Sequence, residues 1–265
     1  MYYSTFVPIP TLSPWIECYW SVKGTDTSVQ KIIPDGYSEL IFHLGDRYKL
    51  VSADTAASQS TTIIAGQICK PIFLQPAGAS DVFGIKFKPT GLWNLTGLRM
   101  ANIVNEAIDF SQIMSPLSSM IYQKLSQASD MQERIDSVDD ILLSWIYKSA
   151  TRKESIETLV DGIRKSNGAI SIRELSTTFN ISTRKMERLF QEQVGVSAKQ
   201  YARLIRFNHV FQLLQQPDLA KTEISFLAGY FDQSHFNNEF REFAGENPER
   251  YFNQDHAFAN FFMNR

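Results

Sequence analysis

The chain has 265 residues and a formal net charge of −2; at about 150 residues per domain, two domains are expected. Hydrophobic residues make up 43% of it, an ordinary share for a globular protein, and no run approaches the roughly 18 unbroken apolar residues of a membrane span. Cys18 and Cys69 are too few for a disulfide framework or a structural zinc site. The first residues lack the basic start and apolar run of a signal peptide, so a cytoplasmic protein with no membrane partner is expected.

Residues 1–98 read as β-rich. Ile32-Ile33-Pro34-Asp35-Gly36 is a turn signal, and residues 39–44 form a buried strand candidate followed by Gly45-Asp46. Between Val82 and Lys88 the side chains alternate, with Phe83, Ile85 and Phe87 on one side and Lys86 and Lys88 on the other, until Pro89. Short strands separated by turns suit a small barrel or sandwich. Trp15, Tyr19, Trp20 and Trp93 are candidates to line an apolar ligand pocket, although core packing is the commoner role for any one of them. His43 is the only histidine in this half, so a barrel enzyme that holds a metal through several histidines lacks its ligands. Cys18 and Cys69 have no clustered partners and read as small buried hydrophobes. No catalytic residue, metal or cofactor is expected.

Residues 100–150 change to helical spacing. Ile113, Leu117, Met120, Ile121 and Leu125 make one stripe; Ile135, Val138, Ile141, Leu142 and Trp145 make another. Such helices pack on the β domain or pair across a dimer two-fold. Thr151-Arg152-Lys153-Glu154 has the form of a capping box, which puts a domain boundary near residue 150.

The last third contains a repeat. Phe190, Gly195 and Tyr201 recur 50 residues later as Phe240, Gly245 and Tyr251, while residues 175–180 recur as 224–229, displaced by 49. One residue is therefore inserted in the second copy's turn. Each copy reads as helix, turn, helix. Ser171 and Glu174 form a capping box, Asn180 and Gly229 supply the left-handed exits, and Ser182 and Asp232 cap the second helices. Met186, Leu189 and Phe190 make the buried stripe in copy one, and Phe236, Phe240 and Phe243 in copy two. Residues 198–216 form the connecting helix. At about 1.5 Å per residue it spans about 28 Å, near the roughly 34 Å between successive major-groove faces of B-DNA. Segment 165–206 holds eight basic and three acidic residues, whereas 207–255 holds three and eight. The first is the kind of footprint that a phosphate backbone attracts. Thr183, Arg184, Lys185, Glu187 and Arg188 face outward in copy one, and Gln233, Ser234, His235, Asn237, Asn238 and Arg241 in copy two, all able to reach base edges or phosphates.

With the spacing of Gly229-Tyr230-Phe231-Asp232 through Phe240, Gly245 and Pro248 in view, residues 151–256 resemble the DNA-binding domain of AraC-type transcriptional regulators. The pieces Tyr19-Trp20, Pro34-Asp35-Gly36, Gly66-Gln67 and Gly84-Ile85-Lys86-Phe87 resemble a sensor-type β domain found ahead of such motifs. The resemblance implies an α+β chain: a cupin-like N-terminal β-barrel with flanking helices over 1–150, and an all-α domain with two helix-turn-helix motifs over 151–256. It implies duplex DNA as partner, a small-molecule effector, and a homodimer formed by a helix beside the barrel. Two departures stand out, since the family usually has a basic residue at Asn238 and a hydroxyl residue at Asn247. The expected function is sequence-specific, ligand-responsive transcriptional regulation without catalysis. A constitutive or partner-controlled DNA-binding protein is the alternative, with an enzyme targeted to DNA a remoter one. DNA-repair methyltransferases that join such motifs to reactive cysteines are a poor match, because Cys18 and Cys69 stand apart.

Overall fold

The computed structural model describes residues 1–52, 55–149, 156–216, 219, 221–254 and 263, with backbone alone at 147–149, 221 and 222. The capping box expected at residues 151–154 lies outside them. Ten strands come first: β1 (Tyr2–Phe6), β2 (Ile16–Gly24), β3 (Gln30–Ile32), β4 (Ser38–His43), β5 (Tyr48–Val51), β6 (Ala56–Ser58), β7 (Thr62–Ala65), β8 (Ile72–Pro76), β9 (Ser80–Phe87) and β10 (Ala107–Asp109). Between β9 and β10 lie helix α1 (Gly91–Thr96) and a 3-10 turn (Met100–Ile103). The strands pair antiparallel into a six-stranded sheet of order β1-β2-β9-β4-β7-β10 and a four-stranded sheet of order β3-β8-β5-β6. Among the described residues no ladder joins the two, so the β domain consists of two open sheets.

Strand alternation divides the larger sheet into two interiors. Leu40 and Phe42 of β4, with Phe83, Ile85 and Phe87 of β9, face a core shared with α2 (Phe110–Gln127) and α3 (Met131–Ser149). Trp20, Val22, Ile41 and Val82 face the other way and meet Ile32, Tyr48 and Leu74 of the smaller sheet. Gly84 makes room there: a Cβ would stand 1.9 Å from Trp20 Cε2. Lys86, which alternation put opposite the phenylalanines, is buried as well (1% exposed), because a second layer of structure covers that face.

Helix α2 departs from its expected stripe. Leu117, Ile121 and Leu125 are buried, but Ile113 and Met120 are exposed. Pro116 cannot donate to the helical ladder and its ring crowds the carbonyl one turn back; the chain kinks at Met114 (φ −140°, ψ 64°). The kink rotates Ile113 out of line. Helix α3 is tied to the sheet by Tyr19 donating to Asp139 and by a two-pronged Arg134–Asp81 pair at 2.8 and 3.1 Å.

The remaining helices are α4 (Glu157–Lys165), α5 (Ile172–Thr178), α6 (Thr183–Gln193), α7 (Ala198–Leu214), α8 (Lys221–Leu227), α9 (Gln233–Ala244) and α10 (Pro248–Phe252). They pack directly on the β domain. Ile33 joins the core formed by α7, α9 and α10, and Asn208 of α7 donates to the Asp35 carbonyl at 2.7 Å. Arg164 of α4 donates to the Tyr37 hydroxyl at 3.1 Å, and Lys31 of β3 pairs with Glu246. No helix of the described residues is long and apolar enough to cross a membrane.

Candidate nucleic-acid interface

Two helix-turn-helix units carry the polar surface singled out by the sequence. In the first, the Ser171 side chain accepts from the Glu174 amide and the Glu174 carboxylate from the Ser171 amide, closing the capping box of α5. Asn180, at φ 47°, makes the left-handed exit, and Ser182 caps α6 by accepting from the Lys185 amide. In the second, Gly229 turns at φ 82° and Asp232 accepts from the His235 amide to start α9. The gap between α5 and α6 covers residues 179–182, and that between α8 and α9 covers 228–232. The inserted residue sits in the turn.

These caps place the buried stripes and the polar faces together. Met186, Leu189 and Phe190 are buried on α6, as are Phe236, Phe240 and Phe243 on α9. Thr183, Arg184, Lys185 and Arg188 are exposed and Glu187 is half-buried. On α9, Gln233, Ser234, His235, Asn238 and Arg241 are exposed and Asn237 is half-buried. Several are already oriented. Gln233 accepts from the Ser225 hydroxyl at 3.1 Å and donates to Asn237 at 3.2 Å. Arg241 donates to Asn247 at 2.9 Å, and Arg188 meets Glu192 one turn on at 3.3 Å.

The charge pattern needs a correction. Arg203 and Arg206 of α7, which belong to the basic segment, bind carboxylates of α9. Arg203 Nε reaches Glu239 at 2.7 Å and its Nη1 reaches Glu242 at 3.1 Å, while Arg206 Nε reaches Glu239 at 3.3 Å. Burial opposes charge on the Arg203 guanidinium, yet its bonds to Glu242 and Glu239 raise its pKa well above normal. Part of the basic excess in one segment and part of the acidic excess in the next therefore cancel across a seam. That seam locks α9 to the connector α7. Glu239 is only 3% exposed and escaped the sequence reading. Its signal was its place on the stripe of Phe236, Phe240 and Phe243, where a carboxylate demands a buried cationic partner.

The family described as "Helix-turn-helix domain" matches residues 175–254, the region of both units, and the relatives matched there are transcriptional regulators of the AraC type. Residues 175–254 thus carry an AraC-type helix-turn-helix domain. Residues 4–109 match a family described as "Domain of unknown function (DUF6597)". The HTH-type transcriptional regulator GbdR of Pseudomonas aeruginosa is 33% identical over 79 residues, covering 30% of this chain and 22% of its own. The Msm operon regulatory protein of Streptococcus mutans is 24% identical over 152 residues, 54% of each chain. The chain thus spans well under two thirds of these relatives. A solved structure of ToxT from Vibrio cholerae aligns over 99% of this chain and 100% of its own, with a TM-score of 0.48 and 11% identity.

The aromatic candidates for a ligand pocket divide. A cavity of about 260 Å³ lies between the two sheets, and Trp20 lines it. Tyr19 and Trp93 are buried in the core shared with the helices, and Trp15 packs against that core. Asp35, Tyr37, Glu39, His43 and Tyr48 also line the cavity; the sequence placed Asp35 in a turn and Glu39 and His43 on a strand, and pointed to none of the five as a pocket residue.

Proposed function

We propose that this protein is a sequence-specific, DNA-binding transcriptional regulator whose N-terminal β domain answers to a small molecule. The observation that carries the first part is the pair of helix-turn-helix units, capped alike, with outward polar faces and one connecting helix. We read residues 151–256 as the DNA-binding domain, with Thr183, Arg184, Lys185, Glu187 and Arg188 addressing one stretch of major groove and Gln233, Ser234, His235, Asn237, Asn238 and Arg241 the next. We read residues 1–150 as a cupin-like sensor, the cavity between its sheets supporting an effector site. A homodimer, working in the cytoplasm, completes this reading; Ile113 and Met120, seven residues apart and exposed on α2, are available for pairing.

Selection of full-length protein against a random duplex pool tests the proposal. The expected outcome is an enriched site with two contacted segments about 10 base pairs apart. Failure to enrich any sequence over non-specific binding at low salt sinks it.

A further inference from the structure

The two helix-turn-helix units differ by one residue in the turn, and the repeat identifies which. In the first unit, Asn180 makes the left-handed exit, Ile181 follows, and Ser182 caps α6. A hydrophobic residue just before a cap commonly packs on the fourth residue of the helix, here Met186. Ile181 packs against the core that contains Met186. In the second unit, Gly229 makes the exit and Asp232 is the cap, so Tyr230 and Phe231 stand where Ile181 stands alone. Tyr230 takes the part of Ile181: it is buried, and its ring meets Phe236, the fourth residue of α9, edge-on at 5.2 Å. Phe231 is therefore the extra residue. With the place on Phe236 taken, its side chain is 91% exposed, the most of any large hydrophobic residue described.

A solvated phenyl ring adds nothing to the fold, because apolar surface stabilises only when something covers it. The position of Phe231 says what covers it. It directly precedes the first turn of α9, where Gln233, Ser234 and His235 are exposed, and the residues that open the second helix of such a unit approach base edges in the major groove. The charges around it favour an uncharged contact. Of the three basic residues in 207–255, Arg241 donates to Asn247 and Arg250 pairs with Glu246. Arg203 and Arg206 of α7 are held by Glu239 and Glu242. Asp232, beside Phe231, accepts from the His235 amide, and its charge lies against the positive end of α9. Discrimination in this unit thus calls for contacts that do not depend on phosphate attraction. The major groove offers an apolar one at thymine, whose C5-methyl group a phenylalanine can cover.

We propose that Phe231 reads a thymine, its ring covering the C5-methyl group in the stretch of major groove addressed by α9. The inference rests on the reading of α9 as a helix that enters DNA. The test uses full-length protein and the duplex enriched from the random pool, with each thymine replaced in turn by deoxyuridine, which lacks only that methyl group. The expected result is a position where uracil weakens binding of the parent about fourfold, the worth of one buried carbon, and does not weaken that of Phe231→Ala. The salt slope of Phe231→Ala should match the parent's, since no phosphate contact is lost. At the same position 5-iodouracil, with iodine in the place of the methyl group, should crosslink on irradiation to Phe231 of the unaltered protein, as located by mass spectrometry. A uracil penalty that persists in Phe231→Ala, or a parent indifferent to every uracil, overturns the assignment and leaves the reading of α9 standing. DNA affinity fully retained by Phe231→Ala also overturns it and gives the ring to a protein partner. A pool that yields no enriched site sinks the reading of α9 itself. Should Phe231→Ala fail to fold, the crosslink decides: one to another residue, or none, overturns the assignment.

Discussion

His43 enters the cavity wall at an energetic cost that shows up in pH. Burial, the largest cause, lowers its pKa from 6.5 to about 4, despite the opposing effect of Gln59. The folded protein therefore refuses a proton that the unfolded chain accepts below about pH 6.5. Stability from this residue is complete above that value and declines as pH falls toward 4. The loss reaches up to about 3 kcal/mol, since each tenfold change in proton affinity is worth about 1.36 kcal/mol. Urea unfolding of the parent and of His43→Leu at pH 7.5 and 4.5 checks this, and the variant should lose less stability on acidification. An equal loss in both proteins means that the imidazole is protonated in the fold. At the surface proposed to face DNA, the side chains expected to decide affinity are the charged ones. Alanine at Arg188 is expected to weaken operator binding about tenfold and lower the salt slope by about one unit. Alanine at Asn238, where no charge is lost, should leave the slope unchanged and cost less in a gel-shift titration.

Among the elements, α7 and α9 matter most, because their ion pairs tie α9, the second of the two helices proposed to read DNA, to the connector. Glu239→Gln keeps the side chain's shape and deletes the charge that holds Arg203 and Arg206. The two guanidinium side chains are 24% and 17% exposed, so water takes up part of the loss. A destabilisation of about 1–3 kcal/mol is expected, below the 3–5 typical of a fully buried pair. A positioning role predicts more: affinity for an operator with both contacted segments should fall further than affinity for one segment alone. Equal losses on the two DNAs leave Glu239 a purely structural residue. The caps of α5, α6 and α9 were legible in the sequence because a cap is settled within three or four residues. Likewise β4 and β9 could be read because a period of two is local. What could not be read were contacts between distant segments. Glu239 lies 36 residues from Arg203, and Lys86 lies 51 from Asp35; the sequence put Lys86 only on the face opposite the phenylalanines and counted Glu239 only as one acid of an acidic segment. The kink in α2 shows the opposite failure. Pro116 was visible, yet the hydrophobic spacing across it was read as one unbroken stripe.

At the scale of the molecule, the turn from Ile33 to Tyr37 belongs to both halves. Ile33, Asp35 and Tyr37 line the cavity, and on the other side Ile33 is part of the helical core. Gly36, at φ 88°, brings the backbone down on α7: a Cβ there would meet Leu204 and Ile205 at 3.6 and 3.7 Å. Asn208 then donates to the Asp35 carbonyl at 2.7 Å. The helix it touches is the one that joins the two helix-turn-helix units, so a ligand that shifts the turn has a short route to their spacing. Coupling between an effector and DNA requires that each bind one arrangement of this contact better than the other. A coupling of typical size changes DNA affinity about 5- to 150-fold. Removing one hydrogen bond of about 1 kcal/mol should reduce that factor about fivefold. Asn208→Ala is therefore expected to keep DNA affinity without effector within about threefold of the parent while most of the response to effector disappears. Thermodynamic reciprocity supplies an internal control, because operator DNA must alter effector affinity by the same factor in each protein. If the response persists undiminished in Asn208→Ala, the two halves communicate through another contact, and the Lys31–Glu246 pair, which ties β3 to the second unit, becomes the next to break.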